Sequence, residues 1–118
     1  MYRVLLVLDS DDLSAVLHKK LSTDFEVEIC DAATAAEIFD HYQPDALILD
    51  LFLSGTDGFQ MLLNATYSVP SIILLTLLVS SDILELAAKL NVNYIFLKPF
   101  KISVLVKLLY EFLNANIK

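Results

Sequence analysis

Four places in this sequence carry side chains that could do chemistry together. Asp9-Ser10-Asp11-Asp12 sets three carboxylates and a hydroxyl directly after an apolar run. Asp50 closes Ala46-Leu-Ile-Leu and is followed by Leu51. Thr76 closes Ser71-Ile-Ile-Leu-Leu, and Lys98-Pro99 follows Tyr94-Ile-Phe-Leu. A carboxylate inside an apolar run is costly unless it is paired or used, so Asp50 is the strongest single pointer. Carboxylates crowded at one edge repel each other and favour a hard cation, for which Mg²⁺ is the natural candidate. Beside such a cation a carboxylate can attack a phosphoryl group and form an aspartyl-phosphate. The new phosphate oxygens then need donors, and a Thr hydroxyl and a Lys ammonium supply them. No residue has the look of a dedicated general base, so a labile mark fits better than rapid turnover. Taken singly, each group has a plainer use. Asp11 and Asp12 suit a helix cap or first turn, Asp9 a turn, Thr76 a strand, and Lys98 a loop before a helix.

Joint use requires elements that bring the four places together. The chain alternates short apolar runs with segments of helical period. Val4–Leu8 reads as a strand buried on both faces. Asp11 to Thr23 carries Leu13, Val16, Leu17 and Leu21 at helical spacing. Phe25–Cys30 alternates apolar and polar, as a strand with one wetter face does. Thr34–Tyr42 is a helix stopped near Pro44. Ala46–Asp50 is a third strand, and Gly58 or Phe59 to Ala65 a short helix. Ser71–Thr76 is a fourth strand. Ser81–Leu90 is a helix capped by Ser81 or Ser80. Tyr94–Leu97 is a fifth strand and Lys101–Asn114 a last helix. Five βα units imply a parallel five-stranded sheet with right-handed crossovers, an α/β doubly wound (βα)5 sandwich. In such folds the crevice lies at the carboxyl ends of the strands, where Asp9, Asp50, Thr76 and Lys98 all fall.

Composition narrows the class. The 118 residues suit one domain over 1–118 with a core of its own. Hydrophobic residues make up 57% of the chain, yet no apolar run approaches the roughly 20 residues of a membrane span. The longest, Ala46–Leu53 and Ile72–Val79, read as buried strands running into loops. The amino-terminal run is too short for a signal peptide. The lone Cys30 excludes an internal disulfide and fits a reducing cytoplasm. The formal net charge is −7, and the eight Lys and Arg residues form no run. Direct nucleic-acid binding by this domain is therefore not expected.

At this point the whole chain resembles the response-regulator receiver family, CheY-like and of flavodoxin-like fold, which acts in two-component phosphorelays. Leu5-Leu-Val-Leu-Asp9 is similar to its first strand and leading acid. Pro44-Asp-Ala-Leu-Ile-Leu-Asp50 is similar to the stretch ending in its phospho-acceptor. Gly55-Thr-Asp-Gly-Phe59 resembles the turn that follows. Thr76 and Lys98-Pro99-Phe100, 22 positions apart, match the family's hydroxyl and its Lys-Pro-Phe signature. The resemblance implies that a sensor histidine kinase phosphorylates Asp50 in the presence of Mg²⁺, and that Thr76 and Lys98 contact the phosphoryl group. It implies Asp9, Asp50 and the main-chain carbonyl of Phe52 as metal ligands, with Ser10 or Asp11 in the remaining place. It also implies a cis Lys98–Pro99 bond, and no enzymatic activity beyond self-catalysed phosphotransfer and slow autodephosphorylation.

The departures from the family pattern are specific. Ser10 stands where a second acid is usual, which lowers the expected Mg²⁺ affinity. Ser54 replaces a proline. Leu77 replaces a small residue and is expected to narrow access to Asp50. The switch aromatic aligns with Ile95, and Tyr94, one place away, should face the other side of its strand. These changes motivate a second reading, a receiver-like interaction module independent of phosphate. A third reading belongs to another class. Leu8-Asp9-Ser10-Asp11 resembles the paired aspartates of haloacid-dehalogenase-type phosphatases, though Asp50 would then have no role. The last helix is apolar almost all round, from Ile102 to Leu113. That predicts a homodimer, or docking to an output domain, through the surface formed by residues 81–113.

Overall fold

The structure is a computed structural model describing residues 1–116. Five strands form one parallel sheet: β1 (Arg3–Val7), β2 (Glu26–Ile29), β3 (Ala46–Asp50), β6 (Ser71–Thr76) and β7 (Tyr94–Leu97). Between β3 and β6 lies a small antiparallel hairpin, β4 (Phe52–Leu53) and β5 (Thr56–Asp57). The helices are α1 (Asp11–Leu21), α2 (Ala35–Tyr42), α3 (Gly58–Asn64), α4 (Ser81–Lys89) and α5 (Ile102–Asn116). The sheet order is β2-β1-β3-β6-β7. From β1 the chain winds outward to β2, then returns to the other side of β1 as β3. The switch in winding lies between β1 and β3, where such folds open their crevice.

Period-two alternation divides the core into two layers. Val4, Leu6, Ile48, Ile73 and Leu75 point to one face, against Leu17 and Leu21 of α1 and Leu105, Leu109 and Leu113 of α5. Leu5, Val7, Leu47, Leu49, Ile72 and Leu74 point to the other, against Phe39 of α2, Phe59 and Met61 of α3 and Ala87 of α4. Both faces of the central strands are covered, which is why they read as unbroken apolar runs. The edge strand β2 is mostly exposed, and its polar alternation is the mark of that position.

Most boundaries follow the sequence reading, with informative shifts. The first helix stops at Leu21, short of Thr23; the Ser22 N–H donates to the His18 carbonyl as the chain turns. The cap of α1 is Ser10, whose Oγ accepts from the Leu13 N–H at 3.2 Å. Asp11 and Asp12 instead occupy the first turn, where the helix dipole favours acids. Ser80, not Ser81, caps α4, through the Ile83 N–H. Gln43, in the left-handed conformation at φ 48°, ends α2 before Pro44. The β4–β5 hairpin was not anticipated, because two residues per strand leave no periodicity to read. The last helix is better covered than its composition suggests: among its large apolar residues Ile102–Leu113, only Val104 is half exposed.

Candidate functional site

Asp50 is the last residue of β3 and is 1% exposed. Its Oδ2 accepts from the Asp9 N–H at 2.7 Å, which ties the end of β3 to the loop after β1. Lys98 Nζ lies 2.7 Å from Oδ1. That contact is a close ion pair, and Oδ1 has no partner besides the Lys98 ammonium. The distance counts for more than the angle, because ammonium protons rotate freely. Lys98 is carried to this place by the end of β7. Its N–H donates to the Thr76 carbonyl at 2.8 Å, and its bond to Pro99 is cis.

Asp9 is exposed above the crevice, and its Oδ1 accepts from Ser54 Oγ at 3.2 Å. Ser54 sits at the tip of the β4–β5 hairpin beside Gly55, whose φ of +80° makes the turn. The hairpin returns to α3 through Gly58, whose N–H donates to the Leu51 carbonyl at 2.7 Å. A Cβ on Gly58 would lie 2.7 Å from the Asp50 carbonyl oxygen, so only glycine allows this approach. Thr76 ends β6, 2% exposed. Its Oγ1 donates to the Leu78 carbonyl at 2.9 Å and accepts from the Leu78 N–H at 3.1 Å. The hydroxyl is thus engaged with its own loop.

Asp9, Asp50 and Lys98 therefore meet at one strand edge, with Thr76 held close by through the Lys98 main chain. Phe52 follows in β4, paired with Asp57, its side chain half exposed. Ser10 is committed to capping, and Asp11 is exposed on α1. Among the described residues no three His, Cys, Asp or Glu side chains converge as a metal cage. The carboxylates of Asp9 and Asp50 still offer a hard cation negative charge and oxygen ligands. Leu77 is 71% exposed and turned outward. Ile95 packs with the α4-side layer, whereas the Tyr94 ring meets Phe96 of the α5 side in a tilted contact, with centroids 4.8 Å apart. The regular pairing of β7 with β6 keeps Tyr94 and Ile95 on opposite faces.

The sequence matches the response regulator receiver domain over residues 4–110. The chain belongs to that family. Solved receivers share its shape. The chemotaxis protein CheY4 of Vibrio cholerae is 25% identical, with 94% of this chain and 98% of that chain covered and a TM-score of 0.80. The N-terminal domain of an uncharacterized protein from Wolinella succinogenes is 24% identical, covering 99% and 98%, with a TM-score of 0.87. The BeF3-activated receiver domain of RstA from Klebsiella pneumoniae is 25% identical, covering 94% and 97%, with a TM-score of 0.77. Receivers act in two-component signalling, partner with histidine kinases and output domains, generally bind Mg²⁺ at the phosphorylation site, and are not enzymes in the ordinary sense. The haloacid-dehalogenase reading of Asp9 and Asp11 gives way to this membership. In this receiver no helix of the described residues is long and apolar enough to cross a membrane.

Sequence reasoning passed over three features of the site. The Ser54–Asp9 bond joins residues 45 positions apart with no shared pattern. Ser10 as a cap was legible in principle, because Ser before a helix is a standard signal. The Thr76–Leu78 turn, a hydroxyl bonded two residues ahead, is a common local motif of Ser and Thr.

Proposed function

We propose that this receiver accepts a phosphoryl group on Asp50 from a sensor histidine kinase and acts as a cytoplasmic signalling switch. The observation that carries this reading is the buried Asp50 carboxylate at the end of β3, with Oδ1 2.7 Å from the Lys98 ammonium. A carboxylate oxygen attacks phosphorus, an O–P bond forms, and the N–P bond to the donor imidazole breaks with its electron pair returning to nitrogen. No proton need leave Asp50, consistent with a site that has no general base. Asp9, Asp50 and the Phe52 carbonyl would hold Mg²⁺, which supplies positive charge against the phosphoryl oxygens. Lys98 shifts from the carboxylate to a phosphoryl oxygen. Thr76 gives up its bonds to Leu78 to donate to another. The rearranged loop and the apolar surface of residues 81–113 then engage a second copy or an output domain.

Ser10 favours a second reading, an interaction module independent of phosphate. It leaves the crevice one carboxylate short, with Lys98 already neutralising Asp50. Intact mass after incubation with Mg²⁺ and acetyl phosphate separates the two. A gain of about 80 Da in the wild type, absent in Asp50→Ala, supports the switch. No gain from acetyl phosphate or from a phosphorylated kinase, with the protein folded, establishes the second reading instead.

A further inference from the structure

We propose that Ser54 is a positioning residue of the crevice: its hydroxyl fixes the Asp9 carboxylate in the orientation a divalent cation between Asp9 and Asp50 needs. The inference rests on the cation-dependent reading of Asp50 and adds a residue to it. The Asp9 main chain is already held, since its N–H donates to Asp50 Oδ2 at 2.7 Å. What remains free is the side chain, which is exposed. Ser54 Oγ donates to Asp9 Oδ1 at 3.2 Å and removes that freedom, leaving the other oxygen for a ligand.

The tether works because Ser54 is itself anchored to Asp50. It lies at the tip of a hairpin whose strands are paired Phe52 to Asp57 and Leu53 to Thr56. One end of the hairpin is continuous with Asp50 through Leu51. The other is pinned by the Gly58 N–H on the Leu51 carbonyl at 2.7 Å. A hairpin braced at both ends thus carries a hydroxyl across the crevice to the opposite loop. Beside it opens a cavity of about 320 Å³ whose lining includes Asp9, Asp11, Asp31 and Ser54 but not Asp50, so the Asp9 side chain is reached from solvent on that side. Ser10 cannot do this work, because its oxygen caps α1. With one acid fewer in the crevice, the orientation of Asp9 matters more. Hydrogen-bond partners that orient a metal ligand typically change affinity 10–100-fold when removed.

The test is a Mn²⁺ titration, read by water-proton relaxation, of the wild type, Ser54→Ala and Ser54→Thr, with metal-free thermal unfolding measured alongside. The expected result is saturable wild-type binding, an affinity about tenfold weaker in Ser54→Ala, near-wild-type binding in Ser54→Thr, and unchanged metal-free melting in all three. Equal affinity in the wild type and Ser54→Ala overturns the proposal and leaves the reading of Asp50 standing. A drop in metal-free melting that accounts for the lost affinity also overturns it, since Ser54 would then only brace the hairpin. Absence of saturable binding by the wild type, even at tens of millimolar, overturns the cation-dependent reading and this proposal with it.

Discussion

Asp50 keeps a carboxylate almost out of solvent because two groups meet it, the Asp9 N–H at Oδ2 and the Lys98 ammonium at Oδ1. Removing one partner of a fully buried pair costs roughly 3–5 kcal/mol. The Lys98 side chain is 26% exposed, so water can replace part of its effect. Lys98→Met is therefore expected to lose about 2 kcal/mol, seen as a lower urea midpoint at unchanged slope. An unchanged midpoint would mean that Asp50 does not depend on the ammonium. A second titratable residue acts on stability away from the crevice. Burial, then the charges of Asp31 and Glu28, push the Cys30 thiol from 9.0 up to about 12. Between those values the unfolded chain loses the proton while the folded chain keeps it. The stability contribution is whole below about pH 9 and is lost as pH rises toward about 12. Cys30→Ala should lose less stability than wild type between about pH 8 and about pH 10.5, and equal losses would count against the buried thiol as the cause. Asp9, Asp50 and Lys98 were legible in the sequence because each breaks or ends an apolar run. Ser54 was not, because a serine in a polar turn carries no sign of a partner 45 positions away.

At the scale of elements, strand ends and the turns after them hold the site together. β1, β3 and β6 were legible almost to the residue, since strands covered on both faces must be apolar throughout. The β4–β5 hairpin escaped because its form depends on tertiary anchors, the Leu51 carbonyl and the close packing at Gly58, rather than on local propensity. That dependence makes Gly58 a sensitive position. An added Cβ would meet the Asp50 carbonyl oxygen at 2.7 Å and the Leu49 side chain at 3.0 Å, and the first of these is main chain of a buried strand. Gly58→Ala is expected to cost about 2 kcal/mol, in the range of overpacked cores. Because the displaced atoms are those of the strand end, it should also reduce phosphoryl uptake at Asp50. Thermal unfolding and intact mass check the two effects together. A variant as stable and as readily phosphorylated as wild type would show that β3 and α3 have slack at this contact.

At the scale of the whole molecule, the question is how a change at Asp50 reaches a partner. The sequence suggested α5 as the uncovered apolar element, but the fold wraps it against α1, β7 and the first core layer. Composition could not reveal this, since it records how apolar a helix is and not how much of it neighbours enclose. Among the large apolar side chains left exposed are Leu77, Leu78 and Val79 in the loop after β6, Leu84 on α4, Tyr94 and Leu97 on β7, and, from α5, Val104. The loop residues follow Thr76 directly, and its hydroxyl holds their main chain through Leu78. If Thr76 turns to a phosphoryl group, both bonds are lost and the loop is released beside the exposed side chains of α4, β7 and α5. A two-state element biased by phosphate in this way needs no aromatic rotation. The absence of an aromatic at Ile95 is then compatible with switching. Beryllium fluoride with Mg²⁺ mimics the phosphoryl group at such a carboxylate. Its addition is expected to shift the wild type from monomer toward dimer in sedimentation velocity. Leu97→Glu should stay monomeric with or without it, because a charge within an apolar interface is left unpaired. Asp50→Ala should not respond at all. Unchanged sedimentation of the wild type, with fluoroberyllate binding demonstrated by ¹⁹F resonance, would exclude self-association as the output and leave docking to a different partner.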